Sequence, residues 1–503
     1  MGDNGGVRAQ ELDENMIITE RSEDGLRWLS PLVEPFVIAG LPWLKKERLY
    51  RRLPAASTHA LPPAVDMLAD CPAGGQIRFR TDSPTVVVKA VLSGPAEMDH
   101  MPASGQCGFD GYIGGFGVQT YIGTTRMNTE STEICHPLFE KLPALPREVT
   151  INLPLYQGVR EIWIGIAPEA MIEPPVPYED SRKIIVYGTS ITQGGCASRP
   201  GMAYTNLLSR RFPYEFVNEG FSGNGKGEPE LARILAEIDN PGLLVIDYVA
   251  NVTPERYRET LPTFIGLYRE THPDVPILVV SKIPYAREAF DDAALQRRLD
   301  TRAFGKETVE RLRQEGDSYI FFQDGDELLG DRFDECTVDG VHPTDLGFLR
   351  MADGLTPTLS AILGAPARST HYTKRIVGIS CINFPVKNVA ISTQWYVNHL
   401  GCKLVREPIR SSNGTNAIIQ LGEAGPNVFL HEETERTPLH FTRQGVPASL
   451  FELMTDDIES LYAQLKEEGV QVSERYDNYP CSKYFDVIDP DGNTITIAEW
   501  FEN

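Results

Sequence analysis

The sequence predicts a multidomain chain: an antiparallel β-sandwich, then an α/β domain whose parallel sheet carries helices on both faces, then an α+β module built from a paired βαβββ unit. Three observations predict it. Between residues 28 and 167, short β-rich runs are split by Gly and Pro with no long helical period, which is the texture of a sandwich. From residue 184, buried-strand runs alternate with helical segments, the pattern of a parallel sheet. From residue 375, the order strand, helix and three strands occurs twice. At 503 residues the chain is too long for a single core.

Residues 1–22 are polar and charged, the composition of a poorly ordered tail. The sandwich is expected over 23–178. Its strands include Gln76-Ile77-Arg78-Phe79-Arg80 and Thr85-Val86-Val87-Val88-Lys89-Ala90-Val91-Leu92, rich in the branched and aromatic residues that suit a pleated surface. The cluster Glu173-Pro174-Pro175-Val176-Pro177 is stiff and extended and closes this domain. The α/β domain is expected over 179–365, with strands at 184–187, 215–217, 243–248, 276–281 and 319–323. Helices are expected at 203–212, 228–236, 254–272 and 291–315. The loop Gly364-Ala365-Pro366-Ala367 opens a third domain over 372–503. Its first pass runs strand 375–384, helix 389–400 and strands near 402–406, 416–421 and 428–431. After a polar connector, the second pass runs strand 449–454, helix 456–468 and strands 470–473, 484–489 and 494–499.

Composition removes several functional classes. The net charge of −23 repels phosphate backbones, and no basic cluster offsets it, so nucleic acid is not an expected partner. No run approaches the roughly eighteen apolar residues of a membrane span. The start, Met1-Gly2-Asp3-Asn4-Gly5-Gly6, lacks the features of a secretory signal, and a cytoplasmic location is expected. Eight cysteines lie scattered without a C-x-x-C pair, so neither a zinc nor a redox motif is indicated. No cofactor and no metal is expected.

The candidate chemistry gathers at the ends of the α/β strands, where ligands bind in such sheets. Ile184-Ile185-Val186-Tyr187-Gly188 reads as a buried strand stopping at a tight turn, with Ser190 just beyond it. A serine nucleophile needs a base, a group to orient that base, and donors for the oxyanion. Asp339 and His342, in Val338-Asp339-Gly340-Val341-His342-Pro343-Thr344, lie three apart around a glycine, so one turn brings carboxylate to imidazole. The donor candidates are the glycine loop Gly220-Phe221-Ser222-Gly223-Asn224-Gly225 and the amide of Asn251. Taken singly, each of these reads more readily as a tight loop or a capping residue. Their arrival behind successive strands is what raises the functional reading.

With these blocks in place, residues from about 181 to 363 resemble an SGNH (GDSL-type) hydrolase. Gly188-Thr189-Ser190-Ile191-Thr192 is similar to the nucleophile block, with Thr189 where many members carry Asp. Ser222-Gly223-Asn224 is similar to the glycine block and Asp339-Gly340-Val341-His342-Pro343 to the acid–base block. Asp247-Tyr248-Val249-Ala250-Asn251 is similar to the subgroup reading D-x-x-x-N, followed here by Pro254-Glu255-Arg256. That subgroup carries an N-terminal sandwich with the motif G-x-D-L-Y, and Gly108-Phe109-Asp110-Gly111-Tyr112 resembles it with Gly111 in place of leucine. The resemblance implies a flavodoxin-like sheet, catalytic roles for Ser190, His342 and Asp339, and an oxyanion hole of the Ser190 and Gly223 N–H groups with the Asn251 amide.

The repeat from about 375 to 502 resembles a vicinal oxygen chelate (glyoxalase/bleomycin-resistance-like) module through Phe384-Pro385-Val386-Lys387-Asn388-Val389, Trp395-Tyr396-Val397-Asn398-His399-Leu400-Gly401-Cys402 and Asp489-Pro490-Asp491-Gly492-Asn493. The positions matching the family's metal ligands hold Cys381, roughly Phe429, Ala448 and Thr496, a poor set for a divalent ion. His431, Glu432, Glu433 and His440 are read as part of a solvated connector. The module is therefore expected to be metal-free and to serve binding, dimerisation or covering of the active site. Asp324-Gly325-Asp326-Glu327 is read as a solvated turn, and Cys196 as a small buried residue.

The function expected from this reading is serine-dependent hydrolysis of a small acyl ester, of a polyol, sugar or secondary metabolite, through an acyl-enzyme. An acyltransferase would use the same residues. A different class of function, small-molecule binding or lyase or isomerase chemistry, would centre on the C-terminal module. Homo-oligomers, formed through the N- or C-terminal domain, are the macromolecular association to test for.

Overall fold

The structure, a computed structural model, describes residues 19–365, 367, 381–411, 414–422, 425–433, 435, 441–443, 446–449, 452–478 and 482–500. Most of the expected tail, the start of the 375–384 strand, and His440 fall outside them. The chain divides into two compact units, Met1–Thr373 and Lys374–Asn503. Sandwich and α/β domain thus form one body, because Met101 and Leu155 of the first join the same buried cluster as Ile184, Val186 and Cys196 of the second. No helix among the described residues is long and apolar enough to cross a membrane.

The first domain is a sandwich of two antiparallel sheets. One has the order Glu20–Glu23, Leu26–Leu29, Val159–Ile166, Val86–Leu92 and Glu133–Phe139. The other orders Ile172–Glu173, Gln76–Thr81, Arg147–Asn152, Asp110–Ile113 and Thr120–Thr124, with Val37–Ala39 also on Gln76–Thr81. Their inner faces meet in one apolar core through residues such as Phe79, Val88, Ile151 and Ile164.

In the α/β domain five parallel strands take the order Glu215–Gly220, Lys183–Gly188, Pro241–Asp247, Ile277–Val280 and Ile320–Gln323. In chain order this is 2-1-3-4-5, the flavodoxin-like arrangement, whose switch point lies between the first and third strands. Alternate side chains of Ile184-Ile185-Val186-Tyr187 enter opposite clusters, which is why the strand reads as a continuous apolar run. One face is covered by helices Tyr204–Arg211 and Asp345–Leu363, the other by Pro229–Ala236, Pro254–Thr271 and Asp292–Gln314. Asp345–Leu363 was not anticipated from the sequence, although Thr344 caps it by accepting the Gly347 N–H. It follows His342 by two residues and fixes the end of the acid–base turn.

Two expectations for surface segments are corrected. Asp324 and Asp326 are not a solvated turn: both are ion-paired to the helix Asp292–Gln314, Asp324 with Arg302 and Asp326 with Arg298. Arg302 holds the Asp324 carboxyl below its ordinary range by a side-chain hydrogen bond that outweighs burial. In the second unit, His431 and Glu432 belong to the strand Asn427–Glu432, not to a connector.

That second unit holds two four-stranded sheets. The first orders Cys381–Val386, Asn427–Glu432, Gly414–Gln420 and Lys403–Ser411, with helix Val389–Leu400. The second orders Glu452–Met454, Thr494–Trp500, Ser482–Ile488 and Tyr476–Asn478, with helix Ile458–Glu467. The edge strand of this sheet, second of the pass in chain order, is Tyr476–Asn478. The expected strand 470–473 contributes only an isolated bridge, Val472 to Val487. A short hairpin, Phe441–Arg443 with Val446–Ala448, occupies part of the connector.

Candidate active site

Ser190 sits at the switch point. The strand Lys183–Gly188 stops at Gly188, which pairs with Gly220 on one side and Asp247 on the other. Thr189 caps the next turn by accepting the Ile191 N–H at 3.2 Å, which makes Ser190 the first residue of the short helix Ser190–Gln193. The turn is clamped from several sides. Asn218 Nδ2 donates to Thr192 O at 2.7 Å, Gln193 Nε2 donates to Leu155 O at 3.0 Å, and the Tyr156 hydroxyl donates to Ser190 O at 3.1 Å.

The structure brings Ser190, His342 and Asp339 together. Ser190 Oγ lies 2.9 Å from His342 Nε2, and His342 Nδ1 lies 2.7 Å from Asp339 Oδ2. The second oxygen of Asp339 accepts the backbone N–H groups of Val341 and His342 at 3.0 and 2.8 Å. Burial pushes the Asp339 carboxyl up, but hydrogen bonds from the backbone and ring of His342 outweigh it and hold the group below its ordinary value. An ionised carboxylate only accepts, so Nδ1 carries the imidazole proton and Nε2 is left to accept from the Ser190 hydroxyl. Gly340, with φ of +84°, makes the turn that brings Asp339 back onto His342.

Gly223 and Asn251 flank the same strand ends. Gly223 has φ of +66° and open space where a Cβ would stand. Asn251 ends the single turn Val249–Asn251, and its Nδ2 reaches Phe221 O at 3.4 Å, a long contact that leaves the amide weakly committed. Phe221 O accepts the N–H groups of Asn224 and Gly225, and Gln193 Oε1 accepts that of Ser222. Among the described residues the N–H groups of Ser190 and Gly223 find no protein acceptor.

Several residues lie at the site to which the sequence analysis gave no role there. Asp247 lies beneath the nucleophile turn and accepts from the hydroxyls of Tyr204 at 2.8 Å and Thr192 at 3.2 Å. Burial raises its carboxyl from 3.8 to about 7 against the pull of those two hydrogen bonds. His100 arrives from the sandwich, its ring centroid 6.0 Å from that of His342. Cys196 is buried as expected, yet His100, Cys196 and His342 each offer a ligand atom within 4.8 Å of the others. His100 sits in a loop with no sequence signature, and only the packing of the two domains reveals it.

The motif Gly108–Tyr112 has a structural role. Asp110, wholly buried, accepts from Arg199 at 2.6 Å, from the Gly201 N–H at 2.9 Å and from Asn152 Nδ2 at 2.8 Å. It ties the sandwich to the loop that follows the nucleophile. In the second unit, Cys381 is exposed and Thr496 Oγ1 donates to Asp486 at 2.6 Å. Among the described residues there, no three His, Cys, Asp or Glu side chains converge as metal ligands would.

Comparison with known proteins follows this division. Residues 181–360 match the GDSL-like Lipase/Acylhydrolase family, and residues 26–172 match the N-terminus of SGNH-hydrolase-type esterases. Residues 378–497 match the Glyoxalase/Bleomycin resistance protein/Dioxygenase superfamily. Among solved structures, a protein described as a GDSL-like lipase from Bacteroides ovatus ATCC 8483 is 31% identical, with a TM-score of 0.64. The match covers 68% of this chain and 100% of that one. The salicylyl-acyltransferase SsfX3 from a tetracycline biosynthetic pathway shares the fold at 20% identity and a TM-score of 0.58, over 69% of this chain and 100% of its own. No curated protein matches the chain significantly.

Proposed function

We propose, from the premise that the chain belongs to the GDSL-like lipase/acylhydrolase family, that it is a serine esterase working through an acyl-enzyme on a small acyl ester. The observation that carries this is the hydrogen-bond relay from Ser190 Oγ through His342 to Asp339, at 2.9 and 2.7 Å. In this reading His342 Nε2 takes the Ser190 proton as Oγ attacks the ester carbonyl. The Ser190 and Gly223 N–H groups and the Asn251 amide receive the oxyanion. Collapse of the tetrahedral intermediate breaks the ester C–O bond, and the departing alcohol takes the proton from His342. Water, deprotonated by His342, then releases the acid and restores Ser190.

The substrate class, a short acyl group such as acetyl carried on a polyol, sugar or secondary metabolite, is carried over from the family resemblance. Ser190 is only 8% exposed, so the ester would present its carbonyl to a largely enclosed hydroxyl. No step in this mechanism uses a metal or cofactor. The test is Ser190→Ala in the full chain, with hydrolysis of p-nitrophenyl acetate as readout. Turnover is expected to fall by at least about 10³-fold with the circular dichroism spectrum unchanged, and undiminished turnover would remove the proposal. Repeating the assay with an acceptor alcohol separates hydrolysis from acyl transfer, which the same residues would perform.

A further inference from the structure

We propose that His100, Cys196 and His342 form a zinc site laid over the Ser190–His342 pair, and that zinc bound there shuts the site off. Binding rests on the geometry alone; its effect on turnover rests on the esterase reading above.

The ligand atoms of the three residues already lie within 4.8 Å of one another. Tetrahedral zinc, with Zn–N near 2.0–2.1 Å and Zn–S near 2.3 Å, holds its ligand atoms roughly 3.3–3.8 Å apart, so closure of about 1 Å completes the site. His100 supplies that movement: its side chain is 39% exposed and its loop lies at the surface. Two imidazoles and a thiolate make a borderline-soft donor set, which favours zinc over the oxygen-seeking magnesium and calcium.

The surroundings match what zinc histidines require. A ligating imidazole ordinarily donates its other ring N–H to a carboxylate, which fixes the tautomer and raises its basicity. Both histidines have that partner. Asp339 Oδ2 lies 2.7 Å from Nδ1 of His342, and Asp99 Oδ1 lies 3.2 Å from Nδ1 of His100. Each pairing leaves Nε2 for the metal. The thiol is placed at a conformational cost, because Cys196 is a non-glycine residue with φ of +71°, a backbone conformation that favours glycine. Zinc binding would displace the Cys196 thiol proton to solvent.

Inhibition follows from atom identity. The lone pair on His342 Nε2 that would accept the Ser190 proton is the one that would bind zinc. A loaded site has no general base, and the fourth zinc position is left to water or to Ser190 Oγ.

The experiment titrates the full chain with zinc chloride against a chromophoric chelator and follows p-nitrophenyl acetate hydrolysis in parallel. Wild type is expected to bind zinc reversibly and to lose at least tenfold of its turnover in step with occupancy, with recovery on adding EDTA. His100→Ala and Cys196→Ala, each read against its own metal-free turnover, should bind zinc at least about tenfold more weakly and lose turnover only at correspondingly higher zinc. Cobalt(II) in place of zinc should give a thiolate charge-transfer band in wild type that Cys196→Ala lacks. Unchanged zinc affinity in both variants, absence of the band, or zinc that accelerates hydrolysis would each overturn the proposal. Should the chain lack esterase turnover, the cobalt band and the chelator titration still decide the site, and only the functional reading falls.

Discussion

Asp339 is the least protected member of the relay. Its side chain is 35% exposed, against 22% for His342, so in the proposed mechanism water can take over part of the orienting role assigned to it. Asp339→Asn is therefore expected to lower kcat by about 10–100-fold, well short of the roughly 10⁴-fold loss seen when a buried triad aspartate is changed. Hydrolysis rates of this variant and Ser190→Ala, measured side by side, check the ranking. Asp247 offers a test of a different kind. Its carboxyl is raised from 3.8 to about 7 by burial, and a group raised on folding stabilises the fold fully below its unfolded value. That contribution is lost as pH rises from about 4 to about 7. Asp247→Asn keeps the shape and an acceptor for Tyr204, so its stability relative to wild type should improve by about 2–3 kcal/mol between pH 5 and pH 8. Urea denaturation at the two pH values measures this. At this scale the sequence was informative where a role is local: Ser190 follows a strand-ending glycine, and His342 lies one turn from Asp339. It was silent on His100 and Tyr156, which reach the site from the sandwich through tertiary packing and carry no signature in their own neighbourhood.

The short helix Ser190–Gln193 is packed tightly against the ends of neighbouring strands. A Cβ on Gly220 would lie 2.2 Å from Gln193 N and 2.8 Å from Thr189 O, and one on Gly225 would lie 2.0 Å from Gly188 O. These neighbours are backbone atoms, so relief requires displacing the Ser190–Gln193 turn. Gly220→Ala is expected to destabilise by about 1–3 kcal/mol and, unlike a remote core change of equal cost, to lower turnover at least tenfold by shifting Ser190 away from His342. Urea midpoints and ester hydrolysis on the same preparation distinguish the two effects. The elements themselves were legible where one force dominates. Strands buried on both faces, such as Ile277–Val280, show as uninterrupted apolar runs. Legibility failed where partners decide. The segment 470–473 meets the strand Ser482–Ile488 only in the single bridge Val472 to Val487, flanked by the Ser473 N–H on Asp486 O and the Ile488 N–H on Gln471 O, and the paired edge strand forms at Tyr476–Asn478. The acidic stretch Asp324–Glu327 resembles a solvated turn until Arg298 and Arg302, one helical turn apart on another element, are brought against it.

On the scale of the whole molecule, the domain count in the sequence and the compact units in space differ for a physical reason. The proline cluster 173–177 marks a real change of texture, yet Asp110 is joined to Arg199 and Gly201 across that boundary. Arg52, wholly buried, donates to Asn218 O at 3.1 Å and Cys71 O at 2.7 Å. Buried ion pairs and buried donors of this sort make the sandwich and the α/β domain one body, because separating them would strand charge without water. The second unit has its own core, from Phe384, Val386 and Tyr396 to Phe485 and Ile497. The Bacteroides ovatus relative is covered over its full length by 68% of this chain, so a body of that extent stands without a further domain. A chain ending at residue 373 is therefore expected to fold, to unfold in a single calorimetric transition where the full protein shows two, and to hydrolyse p-nitrophenyl acetate within about threefold of the full-length rate. Light scattering on both forms tells whether residues 374–503 bring copies together. A truncated protein that folds but loses turnover would instead show that residues 374–503 are needed for activity.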